Sequence, residues 1–329
     1  MHRIGYPVTR LIVVCSFAFL VCACAKTEET STSSNPDRSE QGLLTLGQAM
    51  VLGVVEGLTE YLPVSSTGHL LLTERIIGLG DSPSRLAEKG ERTKEATDAY
   101  TLCIQFGAII AVLGLYFRRV KQMLRGLAGK DLEGRQLLVN VGAGFLPAAL
   151  VGLLFNKVIK SHLFGIWPVV LAWFLGGVAI LAVSWWPQQK GRPERNGRSL
   201  GELSWRMALI IGFAQCIAMW PGVSRSLVTI VGGVLVGLSL PAAVEFSFLL
   251  GLITLGAATG YDTLKHGQAM LQTFSASALA VGIVFAFVSA VLSMKWMVGY
   301  LNSHSLAIFG YYRIVLALVT GAFLLTGVV

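Results

Sequence analysis

The stretch MVLGVVEGLTEYLPVSSTG (50–68) has the apolar pattern of a helix, yet it carries Glu56 and Glu60 and stops at Pro63. Proline lacks a backbone N–H and drives the residue before it out of helical geometry, so the helix predicted over 44–62 breaks there. The apolar continuation at 69–79 is far too short to cross a bilayer. A second stretch, LIIGFAQCIAMWPGVSRS (209–226), repeats the design. Its helix over 207–220 stops at Pro221, and a short run to Leu240 follows. Aligned, Gly53 falls on Gly212 and Glu56 on Gln215; one deleted residue then brings Pro63 onto Pro221 and Ser66 onto Ser224. Broken backbone at membrane depth is tolerated only where protein or a water-filled cavity covers it, so both stretches read as re-entrant hairpins.

The rest of the chain supplies the membrane context. Of its 329 residues, 54% are hydrophobic and only 13% are charged, with a mean hydropathy of +0.66. A soluble chain carries about 25% charged residues, so this one cannot coat a globule with polar surface. The 37 glycines suit closely packed membrane helices. Six stretches are long enough to cross fully: 99–117, 136–156, 167–187, 241–260, 274–295 and 306–329. Each broken element precedes three of them, an odd number, which inverts the second copy relative to the first. The expected fold is therefore an all-α polytopic membrane protein of two inverted-topology repeats, about 43–160 and 205–329. Each repeat is a re-entrant helical hairpin plus three transmembrane helices, and such folds place a binding site where the breaks meet.

The net charge of +8 is distributed as membrane topology requires and does not mark a nucleic-acid binder. Residues 118–135 hold Arg118, Arg119, Lys121, Arg125, Lys130 and Arg135 against Asp131 and Glu133. Residues 188–206 hold Lys190, Arg192, Arg195, Arg198 and Arg206 against Glu194 and Glu202. Both runs read as cytoplasmic loops. Residues 74–98 mix acids with bases and read as the external side, with a long insertion at 80–98. If the membrane domain starts outside, both basic runs land in the cytoplasm, in agreement with the repeat.

At the N-terminus, Arg3 and Arg10 precede an apolar run from Leu11 to Cys24 that is too short for a spanning helix. That is the layout of a signal peptide over 1–24. Val21-Cys22-Ala23-Cys24 resembles a lipoprotein box with Cys24 as the acylated residue, and an uncleaved leader is the alternative. Residues 25–42 contain no aliphatic side chain larger than alanine and read as a disordered tether. Cys103 and Cys216 show no metal or redox spacing.

Ionisable groups inside a membrane are costly and are functional candidates by default. Glu56 and Glu60 lie four apart on one helical face, and two such carboxylates must share a proton, meet a cation or bind a metal. Mg²⁺ or Ca²⁺ are the natural metals for an all-oxygen site. Beyond the break, Ser65 or Ser66 can cap the next helix, whose N-terminus favours an anion, and Thr67 adds a hydroxyl. His69 returns to the face of those serines, the minimum of an activated nucleophile or acid–base pair. In the second break Arg225 offers a fork that matches phosphate oxygens. Gly222 admits close backbone approach there, while Ser224, Ser226 and Thr229 add donors. Gln105 and Glu245 read as helix-packing or supporting groups, Arg313 as snorkelling or paired in the bundle, and Asp262 and His266 as residues of a polar loop. The residues alone define an intramembrane phosphate-ester or pyrophosphate site.

At these motifs the chain resembles the undecaprenyl-diphosphate phosphatase (bacitracin resistance) family. The resemblance rests on GVVEGLTEYLPVSSTGHLL (53–71), IQFGAIIAV (104–112), WPGVSRSLVTIVGG (220–233) and EFSFLL (245–250), and covers 43–329. It implies hydrolysis of undecaprenyl diphosphate to the monophosphate, the lipid carrier of peptidoglycan synthesis, at a bacterial cytoplasmic membrane. It further implies that the site opens to the extracytoplasmic face. Glu56, Glu60, Ser66, His69 and Arg225 carry the family's functional positions. In that picture Arg225 holds the pyrophosphate, Ser66 with His69 transfers the phosphoryl group, and Glu56 and Glu60 bind the divalent cation or manage protons. The chain departs from the family pattern at Leu227-Val228, at Gly251-Leu252-Ile253 and in the leader 1–42. The rival reading is a transporter or flippase, since inverted repeats with broken helices also build transporters. The sequence leaves the nucleophile, the metal and a homodimer open.

Overall fold

In the computed structural model, residues 44–77, 79, 87–163, 165–185 and 197–326 are described. The signal peptide and Cys24, the tether and part of the 188–206 run lie outside them, as do 80–86 and the side chains of 87–99. Among the described residues the chain is helical throughout, with a single isolated bridge between Arg198 and Leu238 in place of strands. Five helices are long and apolar enough to cross a membrane, and a sixth span results if one sharply bent pair is counted as one.

The first broken element is α1 (Leu46–Thr59) followed by α2 (Ser66–Ile76). Thr45 and Gln48 form a reciprocal capping box at the start of α1. The helix ends where Pro63 can no longer donate, and its fourteen residues reach only about 21 Å, short of a bilayer core of about 30 Å. The second broken element is α7 (Trp205–Cys216), a single 3-10 turn over Ile217–Met219, and α8 (Arg225–Leu235). Between them run α3 (Ala87–Leu115), α4 (Phe117–Leu127), α5 (Leu132–Leu163) and α6 (Ile166–Trp185). After them come α9 (Leu240–Thr273), α10 (Ala276–Leu301) and α11 (Ala307–Leu325).

Two sequence expectations change. The basic run from Arg118 is not a loop at its start: α3 turns by 78° at Tyr116 into the amphipathic α4. Helix α9 continues through Asp262 to Thr273, so that residue is not in a loop; the His266 side chain lies outside the described residues.

Each broken element packs on a long helix from the other half of the chain, α1 on α10 and α7 on α5. Both contacts are glycine-on-glycine. A Cβ on Gly53 would fall 2.3 Å from the Gly282 carbonyl oxygen, and one on Gly212 would fall 2.5 Å from that of Gly144. Ser293 and Ser289 of α10 add hydroxyl bonds to the Gly57 and Gly53 carbonyls. Without a hydrophobic drive between helices in lipid, such close small-residue contacts and cross-helix hydrogen bonds hold the bundle. Large apolar side chains such as Leu153, Leu154, Leu292 and Leu318 stay exposed on the outside, where acyl chains would cover them.

The two breaks have one backbone design. Ser65 and Ser224 take φ of 74° and 75°, and they are the non-glycine residues with positive φ among the described residues. Such strain costs on the order of 1–3 kcal/mol and clusters at functional sites. Each caps the helix that follows, accepting from the N–H of Gly68 or of Leu227. Each also follows its glycine, Gly53 or Gly212, by twelve residues and its polar partner, Glu56 or Gln215, by nine. The breaks therefore align without the deletion that pairing the prolines demands. Ser65, not Ser66, is the counterpart of Ser224, and Ser66 is the counterpart of Arg225.

Candidate active site

Glu60 stands at the hub of the site. It is the C-cap of α1, with its backbone N–H still bonded to the Glu56 carbonyl, and it is 7% exposed. One carboxylate oxygen, Oε2, accepts a short hydrogen bond from the Ser66 hydroxyl at the first residue of α2. The other, Oε1, lies 3.3 Å from Nη2 of Arg225 at the first residue of α8. A single buried carboxylate thus links a hydroxyl from the first break to a guanidinium from the second. A buried ion pair of this kind is retained at a desolvation cost, and stripping one partner leaves the other charge unpaired, a loss of about 3–5 kcal/mol.

Arg225 is fitted closely. Nη1 donates to the Ser247 carbonyl at 3.2 Å, and the guanidinium carbon lies 5.3 Å from the centre of the Tyr61 ring. Gly251 of α9 provides the space: a Cβ there would sit 2.1 Å from Nη1. Thr229 does not face the site. Its hydroxyl donates to the Arg225 carbonyl and meets the Ser247 hydroxyl, so it braces the first turn of α8.

Three ties hold the breaks together. The first is the Arg225–Glu60 pair, and the second is Ser226, whose hydroxyl donates to the Leu62 carbonyl at 2.7 Å and meets that of Ser224 at 3.0 Å. The third is Arg313 of α11. Fully buried, it donates to the carbonyls of Pro63 and Gly222, one from each break, and to those of Ala172 and Trp173 in α6. It does not snorkel, and among the described residues it pairs with no acid; carbonyls replace water around it. The broken backbone leaves the Pro63 and Gly222 carbonyls without helical donors, and a guanidinium has enough N–H groups to serve both along with two carbonyls of α6. No partner for Arg313 is visible in the side-chain pattern because its acceptors are backbone atoms.

Neither ring nitrogen of His69 is bonded to Ser66. Its Nδ1 lies 2.7 Å from the Ser65 carbonyl, an atom that can only accept, so Nδ1 carries the proton. Nε2 is 2.7 Å from the Tyr312 hydroxyl and accepts from it. Both ring nitrogens are engaged, and the hydroxyl of Ser66 is served by Glu60. Tyr312, from the far end of the chain, is the site-related residue that sequence reasoning missed. Thr67 is exposed beside Ser66, at the N-terminus of α2.

Glu56 is 1% exposed, and neither of its oxygens has a hydrogen-bond partner among the described residues. The groups around it are Glu60, Arg225 and Gln105, the last of which accepts from Thr259 at 2.7 Å. A divalent cation fits this arrangement, since both oxygens of Glu56 are unused. No set of three His, Cys, Asp or Glu able to hold an ion occurs among the described residues, so phosphate oxygens and water would have to complete the shell. Mg²⁺ is commonly held in that way, by one or two carboxylates plus substrate phosphates. Glu245 is not part of the site: it pairs with Arg119 at 2.8 Å.

Fold and site together define a polytopic helical membrane protein with a buried acid–hydroxyl–guanidinium centre assembled from two broken helices. The model of the bacitracin resistance protein BacA family matches residues 49–319, and the chain belongs to that family. It is 44% identical over 269 residues to an undecaprenyl-diphosphatase of Sorangium cellulosum, covering 82% of this chain and 83% of the relative. It is 40% identical over 287 residues to undecaprenyl-diphosphatase 2 of Rhodospirillum rubrum, covering 87% and 98%. The undecaprenyl-diphosphatase of Methylococcus capsulatus is 42% identical over 271 residues, covering 82% and 92%.

Proposed function

We propose that the protein hydrolyses undecaprenyl diphosphate to undecaprenyl phosphate and inorganic phosphate, with Ser66 as the nucleophile and Glu60 as its base. The observation that carries this reading is the chain Ser66 hydroxyl, Glu60 carboxylate, Arg225 guanidinium. Arg225 binds the diphosphate as a fork, aided by the free N–H groups at the N-termini of α2 and α8. Ser66 Oγ attacks the terminal phosphorus while its proton passes to Glu60 Oε2. The bond from that phosphorus to the bridging oxygen breaks, and undecaprenyl phosphate departs with the bond's electron pair. Glu60 gives that proton to the departing phosphate, then takes one from a water that attacks the phosphoserine and returns it to Ser66 Oγ as inorganic phosphate is released. A divalent cation held by Glu56 and Glu60 would supply charge neutralisation for the phosphate oxygens. His69, fixed by Ser65 and Tyr312, sets the conformation of the strained residue that precedes the nucleophile.

The same reading gives the chain two inverted repeats, supported by the equal spacing of the positive-φ serines and by the reciprocal glycine contacts. It opens the site to the extracytoplasmic face of the cytoplasmic membrane, supported by the basic residues of α4 and the turn after it. A flippase needs the binding arginine but no hydroxyl on a carboxylate, so the Ser66–Glu60 bond favours the phosphatase. The test is phosphate release from a C55 prenyl diphosphate by purified full-length protein, with and without Mg²⁺ or Ca²⁺. Metal-dependent release is expected. Its absence from well-folded protein would transfer support to the flippase, with Arg225 as a headgroup anchor.

A further inference from the structure

A second feature of the molecule lies outside this site. At the 78° elbow between α3 and α4, a cavity of about 610 Å³ is lined by Tyr116, Phe117, Arg118, Arg119, Gln122 and Glu245, among others. The lining combines apolar Leu115 and Phe117 with basic Arg118 and Arg119. Arg119 is committed to Glu245 and to Gln122, but Arg118 is exposed and has no hydrogen-bond or ion-pair partner among the described residues.

Helix α4 extends this division along its length. Phe117, Leu124 and Leu127 line one stripe and are 59%, 61% and 71% exposed. Arg118, Lys121 and Arg125, three and four residues apart, line the adjacent stripe, and no acid occurs on the helix. The remaining face buries Met123 and Gly126. A Cβ on Gly126 would lie 2.1 Å from the Arg135 amide nitrogen, so α4 is clamped against the start of α5. A helix held at 78° to a span, with exposed apolar and basic stripes side by side, lies in a membrane interface. The apolar residues Ile110 and Leu113 of α3 continue from the cavity along the lipid-facing side, both exposed.

We infer that the α3–α4 elbow is a headgroup site for an anionic phospholipid, with Arg118 as its phosphate contact and α4 as its floor. Charge selects the occupant. Three basic side chains on one stripe with no acid partner among the described residues, and the cavity carboxylate of Glu245 neutralised by Arg119, favour an anionic headgroup over a zwitterionic one. The apolar lining residues Leu115 and Phe117 and the exposed Ile110 and Leu113 of α3 give the acyl chains a path that a free phosphate would not need.

The test reads lipid retention and not turnover. Purified full-length protein is equilibrated with phosphatidylglycerol or phosphatidylcholine and the bound lipid is counted by native mass spectrometry. Wild type should retain phosphatidylglycerol in preference to phosphatidylcholine. Arg118→Gln should lower that retention about fivefold, as expected for one basic residue at an anionic surface. Arg118→Lys should restore most of it, and Arg198→Gln, remote from the elbow in sequence and outside its lining, should change nothing. Equal retention of both lipids, or full retention by Arg118→Gln, would overturn the assignment. So would displacement of phosphatidylglycerol from wild type by inorganic phosphate alone, or its stoichiometric replacement by undecaprenyl phosphate, which would give the elbow to the lipid carrier.

Discussion

The two breaks can be compared position by position. Nine residues before the strained serine, the first break carries Glu56 and the second Gln215. Both are buried, but the amide is bonded at each end, to the Gly144 carbonyl and to Thr254, while both oxygens of Glu56 have no partner among the described residues. One residue after the strained serine, the first break carries Ser66 and the second Arg225. A shared scaffold thus offers two helix N-termini, and the chemistry is divided between them. One side supplies acids and a hydroxyl, the other a cation, and Glu60 joins them. In the proposed function Glu56, the member of the pair without a partner among the described residues, is the one given to the cation, because a buried carboxylate left unpaired is costly.

The largest effect should come from removing the group with no functional substitute on the other side. Ser66→Ala should lower phosphate release by at least about a thousandfold, while Arg225 still binds the substrate. Turnover within tenfold of wild type would end the nucleophile assignment. Glu60→Gln should cost about a hundredfold to ten-thousandfold, because it removes both the base and the partner of Arg225. If His69→Gln proved far more damaging than Glu60→Gln, the proton would have to travel through the histidine instead.

Gly251→Ala tests the cation side without touching substrate. The new methyl would collide with Nη1 of Arg225, and a shift of about 1 Å in a positioning group can cost about a hundredfold. The expected loss falls mainly on KM, with the metal titration unchanged; wild-type kinetics would show that the guanidinium has room to spare. The smallest effects separate the Glu56–Gln215 pair. Glu56→Gln should move the metal titration to higher concentration more than Ser65→Ala does, and coincident curves would remove the metal role from Glu56. Gln215→Glu should lower thermal stability, by burying a carboxylate against the Gly144 carbonyl, while phosphate release stays near wild type.

Much of this comparison is legible in the amino-acid sequence. The proline breaks, the six spans and the cluster of Glu56, Glu60, Ser66 and Arg225 follow from apolar runs and from the cost of charge in lipid. What escapes is what depends on backbone atoms or on distant chain. Arg313 finds four carbonyls, and none of them leaves a trace in a side-chain pattern. Tyr312 reaches His69 from 243 residues away, so the serine–histidine pair suggested by local spacing gives way to Ser66–Glu60. The alignment of the breaks slips by one because proline is the conspicuous letter, whereas the shared feature is a positive φ at serine. The amphipathic α4 is concealed in a run whose charges suggest only a loop.

In the proposed function the Ser66 hydroxyl, bonded to Glu60, takes the phosphoryl group. Rapid quenching of the full-length protein with a prenyl diphosphate labelled at its terminal phosphorus tests this directly. The account predicts transient label on the peptide containing Ser66, absent from Ser66→Ala and diminished in Glu60→Gln. Label on His69, or steady phosphate release by Ser66→Ala, would contradict it.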